Sequence, residues 1–397
     1  MAEGFSSDLV FEAGVVALLA LLIAWHDMPL ILAVPAVLLR VGLTMFYFAE
    51  FFDGTWCLID DLIYFNDSST MLRDGFNPLT VLITPDGADA LANAAGGRHF
   101  LYQWWSLSAM YLFGEHYYAA VLLNVLSTFV GGFLLNRITT LLGFSRGYRI
   151  GLELFYLLHW DVITWSSFIN LKESLVQLLT ICGMYCMVRF CQLRDWLSVV
   201  GFILVVQLFY WIRFYLPVLM LFSAVLWVLW QWSDPRKFVL VAIAGGVILV
   251  GLQGVGGATE FIEYRQFPYG FSVILLAPLP WVQFEDVFWF IGIPAVFHLA
   301  LILPAGYGAW QLWKTNGVAR LFVIYAGVLL CFYGLVEFDG FRGPRQRSQL
   351  AFVFAWIQFH FLWSMRPAAI VKAVPASHLN FRPSPVSRRP LVTVNPV

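Results

Sequence analysis

Trp56-Cys57-Leu58-Ile59-Asp60-Asp61-Leu62-Ile63-Tyr64 sets two adjacent carboxylates just after an apolar span, at the start of a long polar loop. Like charges raise each other's pKa, so a pair at a membrane surface is costly to desolvate. Such a pair marks chemistry more often than packing. The bland alternative is a solvated turn.

The chain on either side is overwhelmingly apolar. Hydrophobic residues make up 60% and charged residues 12%, with a mean hydropathy of +0.78. A soluble domain carries about 25% charged residues. This chain lacks the polar side chains to cover a water-facing surface, which predicts an integral membrane protein. The net charge of -1 and the absence of a basic stripe give nucleic-acid binding no footing. The five cysteines, Cys57, Cys182, Cys186, Cys191 and Cys331, show no metal-ligand spacing. The N-terminus has no basic n-region and no small-residue cleavage site, so no cleaved signal peptide is expected.

A bilayer-crossing helix needs about 20 mostly apolar residues. Eleven stretches qualify: Leu9–Trp25, Pro29–Tyr47, Tyr117–Asn136, Ile150–Phe168, Glu173–Phe190, Trp196–Arg213, Phe214–Trp232, Phe238–Gln253, Val287–Trp310, Leu321–Val336 and Leu350–Trp363. Basic residues set the orientation. Arg137, Arg146, Arg149, Arg189, Arg194, Arg236, Lys237, Lys314 and Arg320 fall in one set of loops, which is therefore cytoplasmic. The acids, including Asp53, Asp60, Asp61, Asp67, Asp74, Asp86 and Asp89, fall on the other side. That side is the periplasm of a bacterial inner membrane, or its equivalent.

The expected fold is all-α and polytopic, with about eleven spans. Residues 1–50 form a transmembrane hairpin, 51–116 an external loop, 117–365 the helical core and 366–397 a disordered cytoplasmic tail rich in Pro, Ser and Arg. Within the external loop, Thr84-Pro85-Asp86-Gly87 and Asn93-Ala94-Ala95-Gly96-Gly97 read as turns. Ser69–Asp74 and Leu101–Phe113 read as short helices, the second lying in the interface with Trp104, Trp105, Tyr111 and Phe113 at headgroup level. Gly254-Val255-Gly256-Gly257 lacks the Lys-Ser/Thr ending of a phosphate loop and reads as a flexible connection.

Several charges fall on the outer side against the positive-inside trend: Lys172 and Glu173 between two spans, Arg213 ending a span, and Arg342, Arg345 and Arg347 before the last span. One chemistry accounts for them together. Arginine forks bind phosphate oxygens in pairs, and a carboxylate nearby takes a proton from an attacking hydroxyl. The competing readings are snorkelling for Lys172-Glu173, an interface anchor for Arg213 and lipid-headgroup contacts for the Arg342–Arg347 group. His159-Trp160-Asp161 lies deeper, where Asp161 is costly unless paired or wetted.

Asp60-Asp61-Leu62-Ile63-Tyr64, then Tyr102 to Gly114, Leu123-Asn124, and Trp165-Ser166-Ser167 followed by Leu171-Lys172-Glu173, resemble the GT-C-fold membrane glycosyltransferases. That superfamily includes the protein O-mannosyltransferases and bacterial enzymes that use undecaprenyl-phosphate sugars. The resemblance covers roughly residues 60–189. It implies an inverting hexosyl- or pentosyltransferase of the cell envelope, serving polysaccharide biosynthesis. The donor would be a polyprenyl-phosphate sugar and the acceptor a glycan or protein. Asp60 would be the general base and Asp61 its partner. Arg213, Arg342, Arg345, Arg347 and Lys172 would hold the donor phosphate, with Tyr64, Glu173, Asp161 and His159 nearby. The superfamily has metal-dependent and metal-independent members, so Mg or Mn on Asp60 and Asp61 stays open. The acidic loop here follows the second span rather than the first, which requires an added N-terminal helix. The competing functions are an O-antigen-type polymerase or ligase, a lipid-linked sugar flippase, and a non-catalytic subunit of an envelope complex. A flippase predicts broken helices near the midplane.

Overall fold

The structure is a computed structural model that describes residues 5–54, 59–94, 99–231, 264–277, 279, 289–336 and 342–366. The expected span Phe238–Gln253, the Gly254–Gly257 connection and nearly all of the tail lie outside the described residues. Among the described residues all regular structure is helical.

Six helices are long and apolar enough to cross a membrane: Ser7–Trp25 (α1), Leu30–Glu50 (α2), Tyr117–Leu141 (α7), Glu173–Leu193 (α10), Trp196–Arg213 (α11) and the Ala295–Thr315 part of α14, which spans Trp289–Thr315. Six such helices are compatible with an integral membrane protein. Tyr215–Gln231 (α12), Phe267–Leu276 (α13), Arg320–Val336 (α15) and Ala351–Ser364 (α17) are apolar but shorter. Three of the eleven expected spans therefore appear as helices of 14 to 17 residues.

The largest departure is the expected span Ile150–Phe168. It is broken into Arg146–Leu157 (α8) and Trp160–Ser167 (α9). No Gly or Pro causes the break. His159 adopts extended backbone angles, and its Nδ1 accepts from the Asp161 amide at 3.3 Å, capping a new helix. Asp161 then sits in the first turn of α9, where the helix dipole favours a negative charge. Local capping chemistry thus outcompetes helix continuation.

The segment expected as an external loop is mostly helical. Asp60 and Asp61 belong to the first turn of Ile59–Arg73 (α3), which absorbs the expected helix Ser69–Asp74. Thr84-Pro85-Asp86-Gly87 is a helix start rather than a free turn. Thr84 Oγ1 accepts from the Gly87 amide at 3.2 Å, Pro85 takes the first helical position, and Pro85–Asn93 (α5) follows. With Thr80–Ile83 (α4) and Phe100–Phe113 (α6), these helices form a cap around a small apolar cluster of Met71, Val81, Leu91, Ala94 and Leu107. Gly114 ends α6 at φ 101°, a left-handed turn into α7 that favours glycine.

α7 is the central helix, packed by α1, α8, α9 and α10. In lipid, helices associate by close packing, which small residues permit. A Cβ at Gly131 would lie 2.8 Å from Tyr156 Oη of α8, and one at Gly308 of α14 would run into the Ile357 carbonyl of α17. Helix direction follows from end-to-end contacts. Asp8 and His116 meet at the cap end, while Asp27 and Arg137 meet at the opposite end. The starts of α7 and α10 and the ends of α11 and α15 therefore all lie beneath the cap. There α10, α11 and α15 meet Arg342–Ser348 (α16).

Candidate active site

Arg345 of α16 joins two carboxylates. Its Nη2 donates to Asp60 Oδ2 at 2.6 Å and its Nε to Glu173 Oε1 at 2.7 Å. The same Glu173 oxygen accepts from Arg213 Nη2 at 2.8 Å. Arg213 Nη1 also donates to Tyr215 Oη at 2.7 Å, Tyr333 Oη at 3.2 Å and Gln346 Oε1 at 2.7 Å. Glu173 and Arg213 are buried, whereas the Asp60 side chain is 38% exposed. Six helices, α3, α10, α11, α12, α15 and α16, thus converge on one cluster, with the Asp60 carboxylate part-exposed at its rim.

Lys172 extends the cluster. Its Nζ lies 2.9 Å from Tyr64 Oη and 2.5 Å from His99 Nε2. Among the described residues it meets no carboxylate at ion-pair distance. Burial, with Arg213 beside it, pushes the Lys172 amine well below its ordinary pKa. Burial together with Lys172 and Arg213 pushes His99 down to about 3, so the imidazole is neutral near pH 7. For Asp60, burial would raise the carboxyl, but Arg345, Lys172 and His99 outweigh it and hold the group below the usual value. Burial pushes Tyr64 up, and the Asp60 and Glu173 charges add to that.

The unwound residues 168–172 between α9 and α10 carry Asn170 and Lys172, and polar groups fix them. Asp61 Oδ2 accepts from Tyr117 Oη at 2.8 Å, and Tyr117 Oη accepts from the Asn170 amide at 3.0 Å. Tyr102 Oη donates to Asn170 Oδ1 at 2.7 Å. Asn124 Nδ2 donates to Tyr102 Oη at 2.9 Å and to the Leu171 carbonyl at 3.1 Å. Trp105 Nε1 completes the set by donating to Asn124 Oδ1 at 3.1 Å. Each of these partners satisfies a buried polar group that would otherwise be costly.

The structure therefore brings together Asp60, Tyr64, Lys172, Glu173, Arg213 and Arg345 from the expected set. It separates the others. Adjacent residues on a helix point about 100° apart, so Asp60 faces Arg345 while the buried Asp61 faces Tyr117. Arg347 turns away from the cluster. Its Nη1 donates to the carbonyls of Ile274 at 3.2 Å, Leu275 at 3.4 Å and Ala277 at 2.5 Å, closing the C-terminal end of α13. Its Nη2 lies 3.8 Å from Asp161. His159 caps α9 and its Nε2 pairs with Gln358 Oε1 at 3.0 Å, a packing role rather than a rim position. The Arg342 side chain lies outside the described residues.

His99, Tyr333, Gln346 and Tyr117 are the functional neighbours that the sequence reading missed. A cavity with room for about one water molecule lies just beneath the cluster, lined by Asp161, Ser166, Glu173, Gln177 and Ser348 among others. Asp161 Oδ2 and Glu173 Oε2 are buried there and accept no hydrogen bond among the described residues. Two guanidiniums and an amine against two carboxylates leave room for one further negative charge when Lys172 is protonated. An arriving anion would also favour the protonated amine.

No protein-family model, curated protein or solved structure matches this chain.

Proposed function

We propose that the protein is a membrane glycosyltransferase of GT-C type that moves a sugar from a polyprenyl-phosphate donor to an acceptor hydroxyl, on the periplasmic or external face. The observation that supports this reading most is the junction of Asp60, Arg345, Glu173 and Arg213, two guanidiniums on two carboxylates with Asp60 at the rim, and Lys172 alongside.

The donor enters laterally from the outer leaflet and places its phosphate against Arg213 and Arg345. The acceptor hydroxyl approaches past Asp60. Its oxygen bonds to the anomeric carbon from the face opposite the phosphate, which inverts that centre. Its proton passes to the Asp60 carboxylate. The bond from the anomeric carbon to the phosphate oxygen breaks, and the electron pair goes to that oxygen. The departing lipid phosphate gains a second negative charge, which the guanidiniums stabilise as it develops. Asp60 then releases the proton to water. Asp61 acts at a distance, holding Tyr117 and through it residues 168–172.

One observation favours a second reading, transport of a lipid-linked sugar. The broken helix α8–α9, with buried His159 and Asp161 at the break, is the kind of element a transporter uses.

The deciding measurement is transfer from radiolabelled polyprenyl-phosphate hexoses and pentoses, using membranes with matched amounts of wild-type protein or Asp60→Asn and crude acceptor extracts. Transfer by the wild type that disappears in the variant is the expected result. No transfer from any donor would shift the weight to transport.

A further inference from the structure

The two carboxylates on Arg345 are held unequally. Glu173 is 1% exposed, and one of its oxygens serves both Arg345 and Arg213 in the first turn of α10, where the helix dipole adds support. Pulling Glu173 away would strand the buried Arg213 guanidinium and leave Arg345 with Asp60 alone, a strongly unfavourable change. Asp60 accepts from Arg345 alone among these groups and is 38% exposed at the side chain, so water can replace Arg345 at its carboxylate. An anion arriving from outside therefore displaces Asp60 and leaves Glu173 in place. A phosphate offers several oxygens to an arginine fork, and two such forks stand side by side on Glu173.

The geometry points to a latch: the Asp60–Arg345 pair keeps the base occupied until the phosphate of the lipid donor takes Arg345, so the donor must bind before Asp60 can accept a proton. This rests on the glycosyl-transfer reading. In the resting site Asp60 faces Arg345, with Lys172 and His99 close by, and a carboxylate so surrounded is a poor proton acceptor. Once Arg345 turns to phosphate, Asp60 loses its strongest cationic partner and gains a nearby anion. Both changes make it a better base. Glu173 is then a positioning residue, the fixed counter-ion against which Arg345 pivots. The order of events follows: donor first, acceptor second.

The test uses the full chain in nanodiscs of neutral lipid, with farnesyl phosphate as probe and farnesol as its uncharged control. If Asp60 competes with phosphate for Arg345, Asp60→Asn binds farnesyl phosphate about two- to fivefold tighter, the range a part-exposed ion pair carries. Farnesol binding stays unchanged. A structural role alone predicts no tightening. Difference infrared spectra of the wild type supply the second readout. Farnesyl phosphate should shift a carboxylate band that is missing in Asp60→Asn, and farnesol should not. Equal or weaker binding by Asp60→Asn, or no band shift in a wild type that binds the probe, overturns the latch and leaves the glycosyl-transfer reading standing. A wild type that binds farnesyl phosphate no better than farnesol overturns both.

Discussion

The arginines beneath the cap and the arginine midway along α2 are held in opposite ways. Beneath the cap, Arg213 and Arg345 share a carboxylate, and the network reaches the surface at Asp60. Midway along α2, Arg40 is fully buried and meets only hydroxyls. Nη1 donates to Ser167 at 2.9 Å, and Nη2 donates to Ser166 at 2.6 Å and Thr128 at 3.2 Å. Among the described residues no carboxylate lies at ion-pair distance from it. The hydroxyls of Ser166 and Ser167 belong to the last turn of α9, where the helix dipole is negative and receives a cation well. Arg40 thus pins the end of a broken helix, while the cap cluster holds charges that can exchange partners. The difference teaches that burial of an arginine does not by itself mark chemistry; an exchangeable partner at the rim does.

The sharpest way to break this comparison is Glu173→Gln. Removing the shared carboxylate leaves the buried Arg213 guanidinium without its counter-ion and the part-exposed Arg345 with Asp60 alone. The expected cost is about 3–5 kcal/mol of stability, with transfer reduced at least ~10²-fold. Adding Arg213→Met should recover part of the stability and none of the transfer. Thermal unfolding and transfer assays on the single and double variants check this. Full activity in Glu173→Gln would remove the cluster from the reaction.

Asp60→Asn separates chemistry from packing. Transfer should fall roughly 10²- to 10⁴-fold, as loss of a general base does. Stability should change by no more than about 1 kcal/mol, because the pair is part-exposed. A variant that keeps transfer while remaining folded would move the base elsewhere.

How much of this was legible in the chain turns on a few residues. Charges are so sparse in this sequence that Asp60, Lys172, Glu173, Arg213 and Arg345 stood out without any structure. Their convergence followed from one idea, that outward cations need an anionic reason. Asp61 belongs beside Asp60 only if residues 60–64 form a loop. Read as helix, the spacing of Asp60 and Tyr64 puts them on one face and Asp61 on another. Arg40 carried a signal that went unused, an arginine in the middle of an apolar span. The break at His159 was also written locally, as a capping residue two positions before an aspartate, yet the absence of Gly and Pro hid it. His99 gave no local sign. Its partner Lys172 is 73 positions away, and only the fold brings them together.

Arg40→Met sharpens the comparison from the other side. Replacing a buried charge by an apolar side chain of similar length is often near neutral. Two of the three hydroxyls left behind keep backbone acceptors: Thr128 donates to the Val125 carbonyl and Ser166 to that of Val162. Stability should change by about 1–2 kcal/mol at most, and transfer by less than about tenfold. A folded Arg40→Met protein with no transfer would show that the mid-bundle arginine belongs to the reaction after all.

The smallest effect is the share of the pH dependence that His99 contributes at the cap end. His99 is held down to about 3 by burial, Lys172 and Arg213, while Asp60 and Glu173 pull the other way. An unfolded histidine titrates near ~6.5. Between these values the unfolded chain binds a proton that the folded chain refuses, so stability rises with pH across that window. The contribution of neutral His99 is fully present above about 6.5 and is lost as pH falls toward 3. Thermal unfolding of the wild type should therefore drop between pH 7 and pH 4, and His99→Asn should flatten that slope. Lys172 titrates in the same sense, in a window that ends at the ordinary lysine range. Its depressed pKa penalises the folded state where the unfolded amine is still charged, so the two groups are separated by comparing His99→Asn with Lys172→Met. An unchanged slope in His99→Asn would mean that the imidazole beside Lys172 takes its proton in the folded chain, and the cluster would then carry one more positive charge toward the donor phosphate.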